Sequence, residues 1–235
     1  MLHSWLESIH NTFYSPVCLL CGQQTQAKRD ICSGCERDLP WNRYACQRCA
    51  APLPADQETG VCGHCLRHPP AWQAATSPLR YAWPLDQLIQ RFKFKADLAT
   101  GKLLGGLLAE YLAADSTPQP DCLIPVPLHP ARLKERGFNQ ALELARPVSR
   151  RLRVPLVPGL SRRLRHTEVQ STLDAKSRQR NLHGAFEVFP QVQGLTVAIL
   201  DDVPTTGATA SALSLALHEA GAREVRVWSL ARATG

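Results

Sequence analysis

The sequence predicts an α/β protein, a parallel sheet flanked by helices, behind a small amino-terminal module built on cysteine. Two observations carry this expectation. Short apolar runs without polar alternation, VAIL at 197–200 foremost, read as strands covered on both faces, and stretches of helical period stand between them. Eight of the nine cysteines fall before residue 66, which separates a head at 1–70 from a body at 78–235. No apolar run approaches the ~20 residues of a membrane span, and no basic-then-apolar leader opens the chain, so a soluble cytoplasmic protein is expected.

In chain order, residues 2–13 place Leu2, Trp5, Leu6, Ile9 and Phe13 on one helical face that packs on the body. Four C-x-x-C pairs follow: Cys18 with Cys21, Cys32 with Cys35, Cys46 with Cys49, and Cys62 with Cys65. Two cysteines three apart in a tight knuckle can aim both sulfurs at one tetrahedral ion, and a second knuckle completes the set. Spacers of ten and twelve residues fit two successive zinc ribbons, each with four cysteine ligands. A redox dithiol, a disulfide framework and interleaved quartets are the alternatives. The segment is too short to bury a core, so metal would supply its folding free energy. His64 sits inside the last knuckle as a bystander, and zinc closed by four sulfurs is structural.

Pro69, Pro70 and the residues to Ser77 read as a linker, and Leu79–Trp83 as an edge-like strand. Two amphipathic helices, Leu85–Phe94 and Leu98–Ala113, are separated by Lys95-Ala96-Asp97; Lys93 and Lys95 flank that break, solvated or facing a phosphate. DCLIPVPL at 121–128 is a strand that Pro125 and Pro127 stop, with Cys122 in the core. A loop follows with Arg132, Lys134 and Arg136 before Gly137, three cations suited to a pyrophosphate or else a solvated basic turn. The next helix, Asn139–Arg153, contains Pro147, which predicts a kink or break near Ala145. Val154–Val157 is a short strand, and residues 161–183 form a long polar loop.

The chain converges on VAILDDVPTTGAT at 197–209. Asp201 and Asp202 stand at the carboxyl end of a buried strand, where open α/β sheets bind ligands, and both can reach a sugar diol from the turn. Thr205, Thr206, Gly207, Ala208 and Thr209 open a helix that runs to about Ala220, with Gly221 just past its end. Backbone N–H groups, hydroxyls and a glycine at a helix start suit a phosphate monoester, although an acidic N-cap followed by a tight turn has the same letters. Glu224–Leu230 is the last strand.

This stretch closely resembles the ribose-5-phosphate loop of type I phosphoribosyltransferases. The resemblance implies that Asp201 and Asp202 bind the ribose hydroxyls of phosphoribosyl pyrophosphate (PRPP) and that residues 205–209 bind its 5-phosphate. Purine-type members usually carry an aspartate base where this chain has Thr205, so the resemblance implies a non-purine branch or another acceptor; Pro204 stands at a position usually apolar, with its φ fixed near −65°. PVPLHPARLKERGFNQA at 125–141, RHTEVQSTLDAKSRQRNLHGAF at 165–186, the cysteine head and the DDVPTTGAT loop together resemble the ComF family, phosphoribosyltransferase-like proteins linked to natural competence and use of external DNA. That likeness implies a type I phosphoribosyltransferase-like sheet and a transferase whose acceptor is unknown. It also implies Mg²⁺ with PRPP, a pyrophosphate loop with Arg132, Lys134 and Arg136, and a flexible hood over 161–186 with Arg165, Thr167 and Gln170.

Charge leaves a second reading open. Residues 125–183 hold 13 Lys or Arg against 4 acids, a local +9 within a chain of +7. Such an excess attracts PRPP or single-stranded DNA alike, so the competing expectation is an accessory protein binding single strands or DNA-uptake and recombination partners, its PRPP pocket regulatory or vestigial.

Overall fold

A computed structural model describes residues 16–25, 29–55, 60–165 and 184–233. The expected helix at 2–13, Thr167 and Gln170 lie outside these residues.

In the head, each quartet joins two kinds of knuckle. Cys18–Cys21 and Cys46–Cys49 sit in tight turns closed by the antiparallel bridges Val17↔Gln24 and Ala45↔Pro52. Cys32 and Cys62 are the N-caps of one-turn helices, α1 (Ser33–Arg37) and α2 (Gly63–Arg67), with each thiol accepting from the amide three residues on. Pairing is therefore sequential, not interleaved.

The body begins earlier than the sequence suggests. Residues 74–76, read as linker, form β1 (Ala74–Thr76), which pairs in parallel with a strand some 150 residues later. β2 is only Leu79–Arg80, shorter than the expected 79–83. Then come α3 (Leu85–Lys95), α4 (Leu98–Ala113), β3 (Cys122–Pro125), α5 (Pro130–Arg136), α6 (Gln140–Leu152), β4 (Ser161–Arg163), β5 (Phe186–Val188), β6 (Thr196–Asp201), α7 (Ala208–Glu219), β7 (Glu224–Ser229) and β8 (Ala231–Arg232). The main sheet is parallel, in the order β1-β7-β6-β3. β3 and β6 are its most buried strands, as their unbroken apolar runs require. α6 packs on β3 and β6, while α7 packs on β5 and β7. Cys122 is buried in β3 as expected, and burial pushes its thiol up to about 11.

Three further expectations need correction. The segment 129–136 is a short helix, not a loop: Pro130 takes the first helical position, His129 Nδ1 accepts from the Ala131 amide, and Gly137 ends it at φ 78°. Pro147 does not break α6, which is continuous; its ring lies against Gly105 of α4, the one residue type that leaves room there. Residues 154–157 make one parallel bridge, Leu123↔Leu156, and no strand. The ends of the run expected as a hood pair with each other, as the antiparallel ribbon β4–β5; residues 166–183 between them lie outside the described residues.

Candidate functional site

Six successive ladder pairs hold β6 against β7, so the end of β6 is a fixed point from which Asp201 and Asp202 project into the turn. Their carboxylates cap the chain locally: Asp201 Oδ1 accepts from the Asp202 amide at 2.9 Å, and Asp202 Oδ1 from the Val203 amide at 2.7 Å. The other oxygen of Asp202 meets Lys93 Nζ at 2.6 Å, with both side chains less than one-fifth exposed. Lys93, on the last turn of α3, is thus held at the acid pair, while Lys95 is exposed. Burial raises the Asp201 carboxyl most, the neighbouring Asp202 charge raises it further, and Lys93 opposes both; the result is a group held up at about 7. A carboxyl poised near neutrality at a strand's carboxyl end marks a functional site more often than a structural one.

The turn that follows is fixed from behind. The Leu230 and Ala231 amides donate to the Asp202 carbonyl at 3.1 and 3.3 Å, and Arg232 Nη1 donates to the Pro204 carbonyl at 2.8 Å and to that of Thr205. Gly207 lies at φ 77° with no side-chain cap, and the nearest hydroxyl, Thr206 Oγ1, is 3.4 Å from the Ala208 amide. Thr205 and Thr206 are exposed; Gly207, Ala208 and Thr209 are half-buried. The far end of α7 closes as expected: Gly221, at φ 89°, donates to the His218 carbonyl, and Ala222 to that of Leu217.

Of the three cations on α5, two are drawn inward. Arg136 donates to Gln140 Oε1 at 3.0 Å and lies 5.8 Å from the Phe94 ring, beside Lys93 in sequence. Arg132 and Asp201 both act electrostatically on Arg163 of β4, whose pKa burial lowers first, Arg132 lowers further and Asp201 lifts. Lys134 and Arg165 are exposed. Acid pair, turn, α5 and hood base therefore meet at one edge of the sheet. Sequence reasoning missed three residues here: Arg163 of β4, which lies over the Phe186 ring within electrostatic reach of Asp201, Arg232 as the clamp on the turn, and Trp72, whose ring presses on Gly207. None had a local signal, because each acquires its role from residues distant in sequence.

In the head, the four Sγ atoms of Cys18, Cys21, Cys32 and Cys35 lie within 4.8 Å of one another, as do those of Cys46, Cys49, Cys62 and Cys65. The geometry suits a tetrahedral thiophilic ion in each quartet. Burial would raise Cys46, but the amides of Cys62, Cys49 and Arg48 bring it down to about 7; burial and neighbouring thiols push Cys65 up. Four such groups cannot all ionise together without a cation among them, which is the condition a zinc ion satisfies.

Residues 9–66 match the family model described as a double zinc ribbon domain. Over the longer chain, competence protein F of Haemophilus influenzae is 38% identical across 234 residues, 94% of this chain and 99% of its own length. DNA utilization protein YhgH of Escherichia coli K12 is 39% identical, covering 86% and 90%. Competence protein ComFC of Bacillus subtilis is 27% identical, covering 87% and 90%. Among solved structures, a glutamine PRPP amidotransferase from B. subtilis overlays at TM-score 0.37 and 20% identity over 55% of this chain and 26% of that one, too loosely to argue from.

Proposed function

The chain belongs to the ComF family of competence and DNA-utilisation proteins, and we propose that its body, expected at 78–235 and extended back to residue 74 by β1, binds PRPP beside a structural zinc head, 1–70, in the service of DNA uptake or use. The observation that carries the PRPP reading is the meeting, at the end of β6, of two adjacent acids, a glycine-hinged turn opening a helix, and inward cations from α5 and β4. Asp201 and Asp202 would take the ribose diol, residues 205–209 the 5-phosphate, and Arg132 and Arg136 the pyrophosphate, with Lys134 as a peripheral charge. Arg165, Thr167 and Gln170 would belong to the covering hood.

Adjacent carboxylates are a donor set that fits a hard cation carried in with the ligand, and Mg²⁺ would neutralise the pyrophosphate. The chain's own part is orientation. The acid pair fixes the ribose and favours positive charge at the anomeric carbon, while the arginines favour departure of pyrophosphate. Thr205 in place of an acidic base points to an acceptor whose nucleophilic atom needs no side-chain base at this position to take its proton. Titration calorimetry of PRPP with Mg²⁺ into wild type, Asp201→Asn and Asp202→Asn tests the pocket. Micromolar binding lost in both variants is expected, and silence from the wild type overturns it. A screen for pyrophosphate release against candidate acceptors then tests transfer.

A second reading rests on a different place. Between head and body lies a cleft of about 510 Å³ whose lining includes Arg37, Arg43 and Arg80 with Trp41, Tyr44 and Trp83. Tyr44 and Trp83 are 56% and 70% exposed. Flat rings interleaved with guanidinium groups suit stacked bases and a phosphate backbone, so this cleft would hold single-stranded DNA. Affinity for an oligonucleotide that falls with salt, and falls again in Trp83→Ala, supports it; salt-independent binding removes it.

A further inference from the structure

We infer that Trp72 is a positioning residue for the phosphate-binding turn, and that the second cysteine quartet acts on ligand affinity through it; the inference rests on the PRPP reading above.

Trp72 is 7% exposed and touches both parts of the protein. On one side its ring covers the turn: a Cβ added at Gly207 would lie 3.1 Å from Trp72 Cη2. On the other, its indole N–H donates to the Arg48 carbonyl at 2.5 Å. Arg48 stands between Cys46 and Cys49, inside the knuckle. The knuckle around it is pinned by the Cys62 amide, which donates to Cys46 Sγ at 3.2 Å, and by the Ala50 amide, which donates to the Cys46 carbonyl at 2.7 Å.

The flanks of Trp72 are equally fixed. The Ala71 carbonyl lies 3.0 Å from His218 Nε2 on α7, the helix that begins at Gly207. The Gln73 amide donates to the Val225 carbonyl at 2.9 Å, and the Ala75 amide to the Gln47 carbonyl, also in the knuckle, at 2.9 Å. The indole therefore cannot shift by sliding along the chain. Its tilt is set by where Arg48 presents its carbonyl, which depends on the sulfurs converging on an ion.

The consequence follows from geometry. Without metal, nothing ties the four sulfurs of the second quartet together, and the knuckle that presents the Arg48 carbonyl is free to open. A buried indole N–H left without its acceptor is costly, so the ring turns to find another partner. Gly207, at φ 77° and free of a side chain, is held by the Ser211 amide on its carbonyl at 2.8 Å and by the Trp72 ring over its Cα, so moving the ring removes one of two supports. The turn loosens, and its amides no longer converge on a phosphate.

The test uses the full chain with zinc bound. Trp72→Phe keeps a ring over Gly207 but removes the donor; Trp72→Ala removes both. Expected are PRPP affinities about 3- to 10-fold and more than 10-fold weaker, with zinc content near wild type in both; Trp72→Ala also lowers the melting temperature, so Trp72→Phe, which keeps the ring, is the deciding variant. Chelation carried past loss of the first ion should weaken PRPP binding in wild type only as the second quartet empties, and that second loss should add little in Trp72→Phe. Wild-type affinity in both variants overturns the inference. If the wild-type chain binds no PRPP, the pocket reading fails, and hydrogen exchange across 205–210 decides the coupling instead. Faster exchange after zinc loss or in Trp72→Phe supports it, and unchanged exchange overturns it.

Discussion

Lys93 and Asp202 form an ion pair of 2.6 Å between the last turn of α3 and the end of β6, with 19% and 17% of their side chains exposed. The pair joins two segments more than 100 residues apart and neutralises one of two adjacent carboxylates. Because Lys93 also opposes the rise of Asp201, Lys93→Met should move the Asp201 titration above about 7, as followed by carbon-detected NMR. It should also cost roughly 1–3 kcal/mol in urea denaturation at pH 8, since it strands a shielded negative charge. An unmoved titration would mean that the lysine does not govern the acid pair.

The raised Asp201 carboxyl gives a signed dependence on pH. Its folded-state pKa of about 7 lies above its ordinary 3.8, so the folded protein holds this proton more tightly than the unfolded chain. The contribution favours folding below pH 4, declines as pH rises, and is gone once pH passes 7. Asp201→Asn removes that slope. It should be more stable than wild type at pH 8, by about 1–4 kcal/mol, and near equal at pH 4, by thermal denaturation at both. The same variant should lose PRPP binding. A more stable protein that binds less is the trade expected where like charges are held together for a ligand.

What was legible follows from what is local. VAIL, the acid pair and the glycine turn are contiguous, so strand, ligand edge and helix start could be read from one run. The cysteine spacings likewise reported their own geometry. β1 was not legible, because Ala74-Ala75-Thr76 has no apolar alternation and becomes a strand only through β7. α5 misled by its prolines and charges, although Pro130 at the first helical position and Gly137 at the end were signals that a helix could claim. Arg163, within electrostatic reach of Asp201, was one of several arginines in its run and is placed there only by β4–β5 pairing.

The packing of α4 on α6 predicts opposite outcomes at adjacent positions. A methyl at Gly105 would lie 2.5 Å from Pro147 Cγ and 3.2 Å from the Leu144 carbonyl, whereas at Gly106 it would meet nothing within 4 Å. Gly105→Ala should therefore destabilise by about 1–3 kcal/mol, through overpacking against α6. Gly106→Ala should stabilise by up to about 1 kcal/mol, since alanine loses less backbone entropy in a helix. Denaturant midpoints of the two variants and wild type decide it, and equal shifts would show that the helices do not approach as closely as described.

The two quartets should release zinc at different rates. Cys21 of the first is exposed, whereas in the second Cys46 and Cys65 are buried and Cys49 and Cys62 half-buried. A chelator attacks through the accessible sulfur, so a colorimetric zinc assay should show two phases of about one ion each, the first quartet emptying faster. Cys21→Ser should abolish the fast phase and leave the slow one. Lower pH should speed both, since each thiolate must be protonated as the ion leaves. A single phase releasing both ions together would instead mean that the ribbons open as one unit.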